Sequence, residues 1–217
     1  MVIADLDRAG DEATQAAVHG YGGEDLFVEC DVARAISANQ MVQTVVINFN
    51  RLDILVNNAG ILFTGTVVDT SETDWNRLIA VNLTSAFLCS KYAIPQMIAQ
   101  GGGVILNVAS AAGLTGGNRR AAYSASKGGM IALTRSMALD QAANGIRDNC
   151  LCPGLVDTPM LRQMTTPEGI DEICRTTPLG RLATPSEVVS VALSLVSDNA
   201  SYVTGVVWTV DGGESLV

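Results

Sequence analysis

Positive charge is scarce in this sequence. Its 217 residues carry 13 lysines and arginines against 22 aspartates and glutamates, a formal net charge of -9. So acidic a chain suits neither the phosphate backbone of a nucleic acid nor an anionic membrane surface, and neither is expected as a partner. No apolar run reaches the roughly 18 residues of a membrane span. The opening M-V-I-A-D-L-D lacks the basic start and long apolar stretch of a secretory leader. Low-complexity linkers, repeats of fixed period and runs of like charge are also missing. The five cysteines, Cys30, Cys89, Cys150, Cys152 and Cys174, are odd in number and include no C-x-x-C pair, which argues against a disulfide framework and against a metal site. Cys150 and Cys152 are expected to share one strand face as small hydrophobes. With 48% hydrophobic and 16% charged residues, the chain is expected to be one compact, soluble, cytoplasmic domain over residues 1–217.

What is present is alternation. Short apolar runs read as strands at Val2 to Leu6, Leu26 to Cys30, Ile54 to Val56, Val104 to Val108, Ile146 to Leu151 and Val206 to Val210. Between them, helical patterns run from Asp11 to His19, Ala33 to Phe49, roughly Glu72 to Ala99 with a break expected at Pro95, Ala122 to Ala143, and Ser186 to Val196 after the start signal Thr184-Pro185. Strands apolar on both faces, alternating with helices, predict an α/β fold: a doubly wound parallel sheet covered on both sides. Right-handed crossovers gather the strand C-termini on one edge, where ligands bind. Asp5, Asp31, Asn58, Ser110 and Pro153-Gly154 collect there.

The sharpest chemical signal is Tyr123-Ser124-Ala125-Ser126-Lys127 at a helix start. Residues four apart share a helical face, and an ammonium beside a phenol favours the phenolate, so Tyr123 is expected to have a depressed pKa and to act as an acid or base near neutral pH. Ser110 closes the strand V-I-L-N-V-A-S, Asn57-Asn58-Ala59-Gly60 closes another, and Val81-Asn82 lies within the long helical region. Together with C-D-V at 30–32, V-N-L at 81–83, C-P-G-L-V-D-T-P-M at 152–160 and V-D-G-G at 210–213, these motifs resemble the short-chain dehydrogenase/reductase family from Val2 to Gly213.

The resemblance implies a Rossmann-like fold and an NAD(H)-dependent oxidoreductase that interconverts a secondary alcohol and a ketone. It implies that Tyr123 exchanges the substrate hydroxyl proton, that Lys127 lowers the tyrosine pKa and binds the nicotinamide ribose, and that Ser110 hydrogen-bonds the substrate oxygen. Asn82 would kink its helix and hold a relay water. For the cofactor it implies Asp5 on the adenosine ribose, Asp31 and Val32 beside the adenine, Asn58, Ala59 and Gly60 beneath the adenosine, and Pro153, Gly154, Val156 and Thr158 around the nicotinamide. Asp5 would repel a 2′-phosphate, which favours NAD over NADP. Assembly as a homodimer or homotetramer is implied as well. Asn118-Arg119-Arg120 reads as a solvated turn, with contact to an anionic substrate as the alternative. His19 is expected to end a helix, and Trp75 and Trp208 to be packing residues.

Two features depart from the pattern. The family's opening strand and glycine-rich turn, T-G-x-x-x-G-x-G, which hold the pyrophosphate, do not precede Asp5. Its usual first strand being missing, two parallel strands are expected to lose a shared neighbour, and the chain reads as an N-terminally truncated version of a longer dehydrogenase. Gly20 to Gly23, Gly101 to Gly103 and Gly116-Gly117 are misplaced for that role. The second departure is Asp148, in a strand position normally aliphatic; it is expected near the strand's exposed start or paired with an arginine. Two other functions remain open: a catalytically silent relative acting only as a subunit, and a 3-oxoacyl-thioester reductase.

Overall fold

The computed structural model describes residues 1–8 and 12–217, with side chains for all of these except 12 and 13. In chain order the elements are β1 (Val2–Asp5), α1 (Glu12–Gly20), β2 (Leu26–Glu29), α2 (Ala35–Phe49), β3 (Ile54–Asn57), α3 (Glu72–Ile79), a π turn (Ala80–Thr84) and α4 (Ser85–Ala99). There follow β4 (Gly103–Val108), α5 (Ala112–Thr115), α6 (Ala121–Gln141), β5 (Ile146–Pro153), α7 (Pro159–Met164), α8 (Pro167–Thr176), α9 (Pro185–Val196) and β6 (Val207–Val210). The expected strands are all present, within a residue or two at their ends. Asp11, expected to begin the first helix, lies outside the described residues.

Every pairing is parallel, as apolar strands joined by helices require. Among the described residues the ladders form two sheets, β1-β2 and β3-β4-β5-β6. β1 and β3 therefore each keep one unpaired edge, the interruption expected from the sequence. One apolar cluster nevertheless spans the two sheets. Ala4 and Val28 on one side and Leu55 and Ile105 on the other pack over Ala38, Met41 and Val42 of α2 and Leu88, Cys89, Ala93 and Met97 of α4. α6 extends this layer, with Met130 and Ile131 against Cys150 and Cys152. On the opposite face, Leu195 of α9 covers Leu106 and Leu151. That cover stops short of β3, whose Ile54 and Val56 face the same way and are 47% and 49% exposed.

The long helical region is interrupted at Ala80–Thr84, and Pro95 sits inside α4 without ending it. Proline removes one N–H donor from the helix ladder, but the surrounding turns are fixed by buried Leu88, Cys89, Ala93 and Met97. By length and composition alone, the stretch Glu72–Ala99 would suffice to cross a membrane, but these same residues make it a core helix. Trp75 and Trp208, expected to pack, are 42% and 43% exposed. His19 lies in the last turn of α1 and pairs with Asp25. α7 and α8 were not expected, although Thr158-Pro159 and Thr166-Pro167 carry the same start signal as α9; each threonine hydroxyl accepts a backbone N–H of its own first turn.

Asp148 is neither at an exposed strand start nor paired with an arginine. It is fully buried in β5, its Oδ1 accepting from Asn107 Nδ2 at 2.9 Å, while Oδ2 meets no donor. Its neighbour Arg147 points to the other face, where it donates to the carbonyls of Leu195, Ser197 and Val203. Burial, helped by nearby Cys150, pushes the Asp148 carboxyl up to about 8. The folded-state value is raised, so this group's contribution to stability is complete below the unfolded carboxylate range and is lost as pH rises toward about 8. Asp148→Asn should remove that loss. In urea unfolding, the variant is expected to gain on wild type progressively between about pH 4 and pH 8, by several kcal/mol at the upper end; a stability difference independent of pH would contradict the assignment.

Candidate active site

The C-terminal ends of β3, β4 and β5 lie side by side because their registers align Asn57 with Asn107 and Val108 with Leu151. The chain beyond each end carries one part of the site. After β4, Ala109 N–H and Ala111 N–H donate to the carbonyls of Leu151 and Pro153, which fixes Ser110 between them. Ser110 Oγ accepts from Ala112 N–H at 3.2 Å and lies close enough to Tyr123 to act on its phenol. One turn further along α6, Lys127 is buried, its Nζ donating to Val108 O at 2.7 Å and lying 5.8 Å from the Tyr123 ring centre. Close approach of α5 to α6 makes room for this: a Cβ on Gly113 would come within 2.7 Å of the Lys127 carbonyl carbon.

Asn82 sits in the π turn, fully buried. Its Oδ1 accepts from Ile61 N–H at 2.8 Å, and its Nδ2 donates to Ile61 O and to Ser126 Oγ. The side chain thus ties the loop after β3 to α6. A Cβ on Gly60 would stand 3.6 Å from both Asn82 Oδ1 and Lys127 Nζ, so this glycine lies between the two. Ser110, Tyr123, Lys127 and Asn82 are brought together as the sequence implied.

Their electrostatics differ from expectation in one respect. Lys127 is pulled down to about 8 by burial. Tyr123 is raised, not depressed: burial outweighs the lowering by neighbouring Ser110 and the Arg120 guanidinium. A phenol sequestered in this way is a proton donor in its resting state, beside a lysine ready to release its own proton near neutrality.

The residues named for a dinucleotide are divided between the two sheets. Asp5 closes β1, using Oδ1 in a turn to Leu6 N–H and Asp7 N–H, and Asp31 and Val32 follow β2. Asn58, Ala59 and Gly60 follow β3, and Pro153 and Gly154 end β5. Val156 bridges to Ala183, and Thr158 caps α7. This donor set suits the two ribose ends of a nicotinamide dinucleotide. A diphosphate cradle does not accompany it: among the described residues, Gly20, Gly22 and Gly23 follow a helix, Gly101 to Gly103 lead into a strand, and Gly116-Gly117 lie in a loop.

Comparison with known proteins agrees with this architecture. A family profile described as enoyl-(acyl carrier protein) reductase matches residues 1–215. The trans-4-hydroxycyclohexanecarboxylate dehydrogenase of Sinomonas cyclohexanicum is 42% identical over 99% of the chain and 83% of its own length. The meso-2,3-butanediol dehydrogenase of Serratia marcescens is 37% identical over 98% and 84%. A crystal structure from Burkholderia xenovorans, assigned to the short-chain dehydrogenase/reductase family, superposes with a TM-score of 0.93 at 37% identity, covering all of this chain and 84% of that one. The chain belongs to the short-chain dehydrogenase/reductase family. It is an oxidoreductase with that family's α/β fold, and relatives in the family act on alcohols.

The sequence reading missed the amides that hold this edge together. Asn57 Nδ2 donates to Asn107 Oδ1 at 2.8 Å and to Ser90 Oγ, and Asn107 Nδ2 donates to Thr134 Oγ1. Their signal was available: a polar residue at an inward position of an otherwise apolar strand. For Lys127, burial gives a direct test. With lysine ε-carbons labelled for NMR, one resonance that disappears in Lys127→Arg should titrate near pH 8; a midpoint in the ordinary lysine range, about 10.4, would contradict the geometry.

Proposed function

We propose that this dehydrogenase interconverts a small secondary alcohol and its ketone with NAD(H), Tyr123 exchanging the hydroxyl proton. The observation carrying this reading is buried Lys127, its Nζ 5.8 Å from the Tyr123 ring centre, with Ser110 beside the same phenol. Ser110 would hold the substrate oxygen and steady it as charge develops. Tyr123, kept neutral by burial, would give its proton to a ketone oxygen, or take one from an alcohol with Lys127 restoring the balance. Asn82 would fix the loop at Gly60 and Ile61 and so the wall beside Lys127; its position in the π turn is also where a relay water would be held. The nicotinamide, when bound, supplies or accepts the hydride. Lys127, Asp5, Asp31, Val32, Asn58, Ala59, Gly60, Pro153, Gly154, Val156 and Thr158 would hold the cofactor. The carboxylate of Asp5 favours NAD over NADP. Residues 1–217 would form a single cytoplasmic domain that assembles as a homodimer or homotetramer.

Tyr123→Phe should leave the fold unchanged and cut turnover by at least a hundredfold, in line with the usual contribution of a positioned acid. Retention of wild-type turnover would remove the proton-transfer role. Cofactor affinity of residues 1–217 is a separate matter, because among the described residues no diphosphate cradle accompanies the ribose ligands. Charge-assisted hydrogen bonds are worth about 1.5–3 kcal/mol each, and two fewer would weaken binding by roughly two to four decades. Calorimetric titration should therefore give NADH binding weaker than micromolar, and NADPH weaker still. Micromolar NADH binding, or preference for NADPH, would refute this part of the reading.

A further inference from the structure

Trp75 does not pack into the core as expected; it lines a cavity instead. The cavity holds about 290 Å³ and opens between α3 and the start of α6. Val67, Ala121 and Ala122 give it apolar walls. Glu72, Trp75 and Asn76 give it one face of α3, being spaced three and four residues apart along that helix. The two sides are fastened to each other by the protein itself. Gly65 N–H donates to Arg119 O at 2.7 Å, Gly65 and Arg120 form a parallel bridge, and the Arg119 guanidinium reaches Asp69 at 3.5 Å. The loop that carries Val67 is thereby tied to the residues that lead into α6, so the cavity is pre-formed, as small-molecule sites usually are.

The polar groups around it are unevenly used. Asp69 is taken by Thr66 and Arg119, and Asp74 accepts from Ser71 Oγ at 2.7 Å. The Thr70 hydroxyl, also on the cavity wall, donates to Thr66 O at 2.7 Å. Ser71 caps the first turn of α3, its side chain accepting from Asp74 N–H and its carbonyl from Trp75 N–H, so Glu72 is not needed as a cap. By contrast, the Glu72 carboxylate, the Asn76 amide and the Trp75 indole N–H make no hydrogen bond or ion pair with any described residue. No basic side chain lines the cavity. A free carboxylate beside a half-exposed indole, in a chain of net charge -9, attracts a cation and repels an anion. A bare metal ion would find one carboxylate only, and among the described residues no three ligating side chains are grouped. The apolar walls suit a cation that carries carbon.

We propose that the cavity between α3 and the start of α6 binds a small organic cation of the quaternary ammonium type. Its charged head lies over the Trp75 ring beside Glu72, its methyl groups rest on Val67, Ala121 and Ala122, and a hydroxyl on it meets the Asn76 amide. Ser110, Tyr123 and Lys127 do not line this cavity, so the site stands independently of the alcohol–ketone reading above.

Choline and dimethylbutanol, its uncharged tert-butyl analogue, share a shape and differ in charge. The chain has two tryptophans, so their indole N–H resonances in NMR report on Trp75 with Trp208 as an internal control. Choline should shift the Trp75 resonance saturably and leave that of Trp208 in place. It should bind at least about fivefold more tightly than dimethylbutanol, the combined scale of an exposed cation–π contact and an exposed ion pair. Glu72→Gln keeps the shape of the site and its Trp75 reporter, and should abolish that preference. Trp75→Leu, followed by ligand-observed NMR, should remove choline binding and serves even if Glu72→Gln fails to fold. No saturable shift, a shift of both tryptophans, equal binding of the two probes, or a preference unchanged in Glu72→Gln would overturn the proposal. A Trp75 resonance that moves with protein concentration alone would place a second copy of the chain on this face and overturn it as well.

Discussion

Asn107 is the constraint on which the site depends. Its amide is fully buried in β4 and fully used: Oδ1 accepts from Asn57 in β3, and Nδ2 donates to Asp148 in β5 and to Thr134 in α6. Through Asn57 the same network reaches Ser90 in α4. A single side chain therefore fixes three strands and couples them to two helices. Shifting any one strand by a residue would turn these groups to the other face and strand them among Leu106, Leu151 and Leu195. Buried networks of this kind are costly when partly satisfied, which makes the register specific. Immediately beyond it lie the Asn58–Gly60 loop, Ser110 and Pro153-Gly154. The positions of catalytic groups are thus set by polar contacts beneath them, more than by the apolar layers that supply the bulk of the stability.

A consequence is an uneven division of labour. The four-stranded sheet carries Ser110 and, through α6, Tyr123 and Lys127, the groups proposed for the substrate chemistry, whereas β1 and β2 lead into Asp5 and Asp31, the acids proposed for an adenosine. Among the described residues the two sheets are joined through α2 and α4, which lie across one face, and not through a continuous ladder. On the other face, Ile54 and Val56 stay exposed on the edge strand β3, an arrangement that weakens register and invites pairing with other chains.

The order of strands and helices was legible because apolar runs and helical periodicity survive in short windows. Tyr123, Lys127, Ser110 and Asn82 were legible as motifs, and the structure brings them together. The raised Tyr123 phenol was not, because the sequence shows that Lys127 is near but not how deeply both are buried. Asp148 was marked as anomalous from its neighbours alone; its resolution required knowing that Asn107 of the adjacent strand faces it. The long helix is interrupted at Asn82, where the resemblance implied a kink, and not at Pro95, where the residues alone suggested a break. Proline in a well-packed helix costs one bond, whereas the π turn follows from tertiary hydrogen bonds to Ile61 that no local pattern encodes.

The central claim is that the catalytic groups stand on a sheet whose integrity does not depend on the β1–β2 pair. Native-state hydrogen exchange over a urea series tests it most directly. The account predicts that backbone amides of β4 and β5 exchange only through global unfolding, while those of β1 and β2 exchange through a separate opening of lower free energy and smaller urea dependence. Convergence of all four strands on one opening free energy at every urea concentration would show a single cooperative sheet and contradict the account.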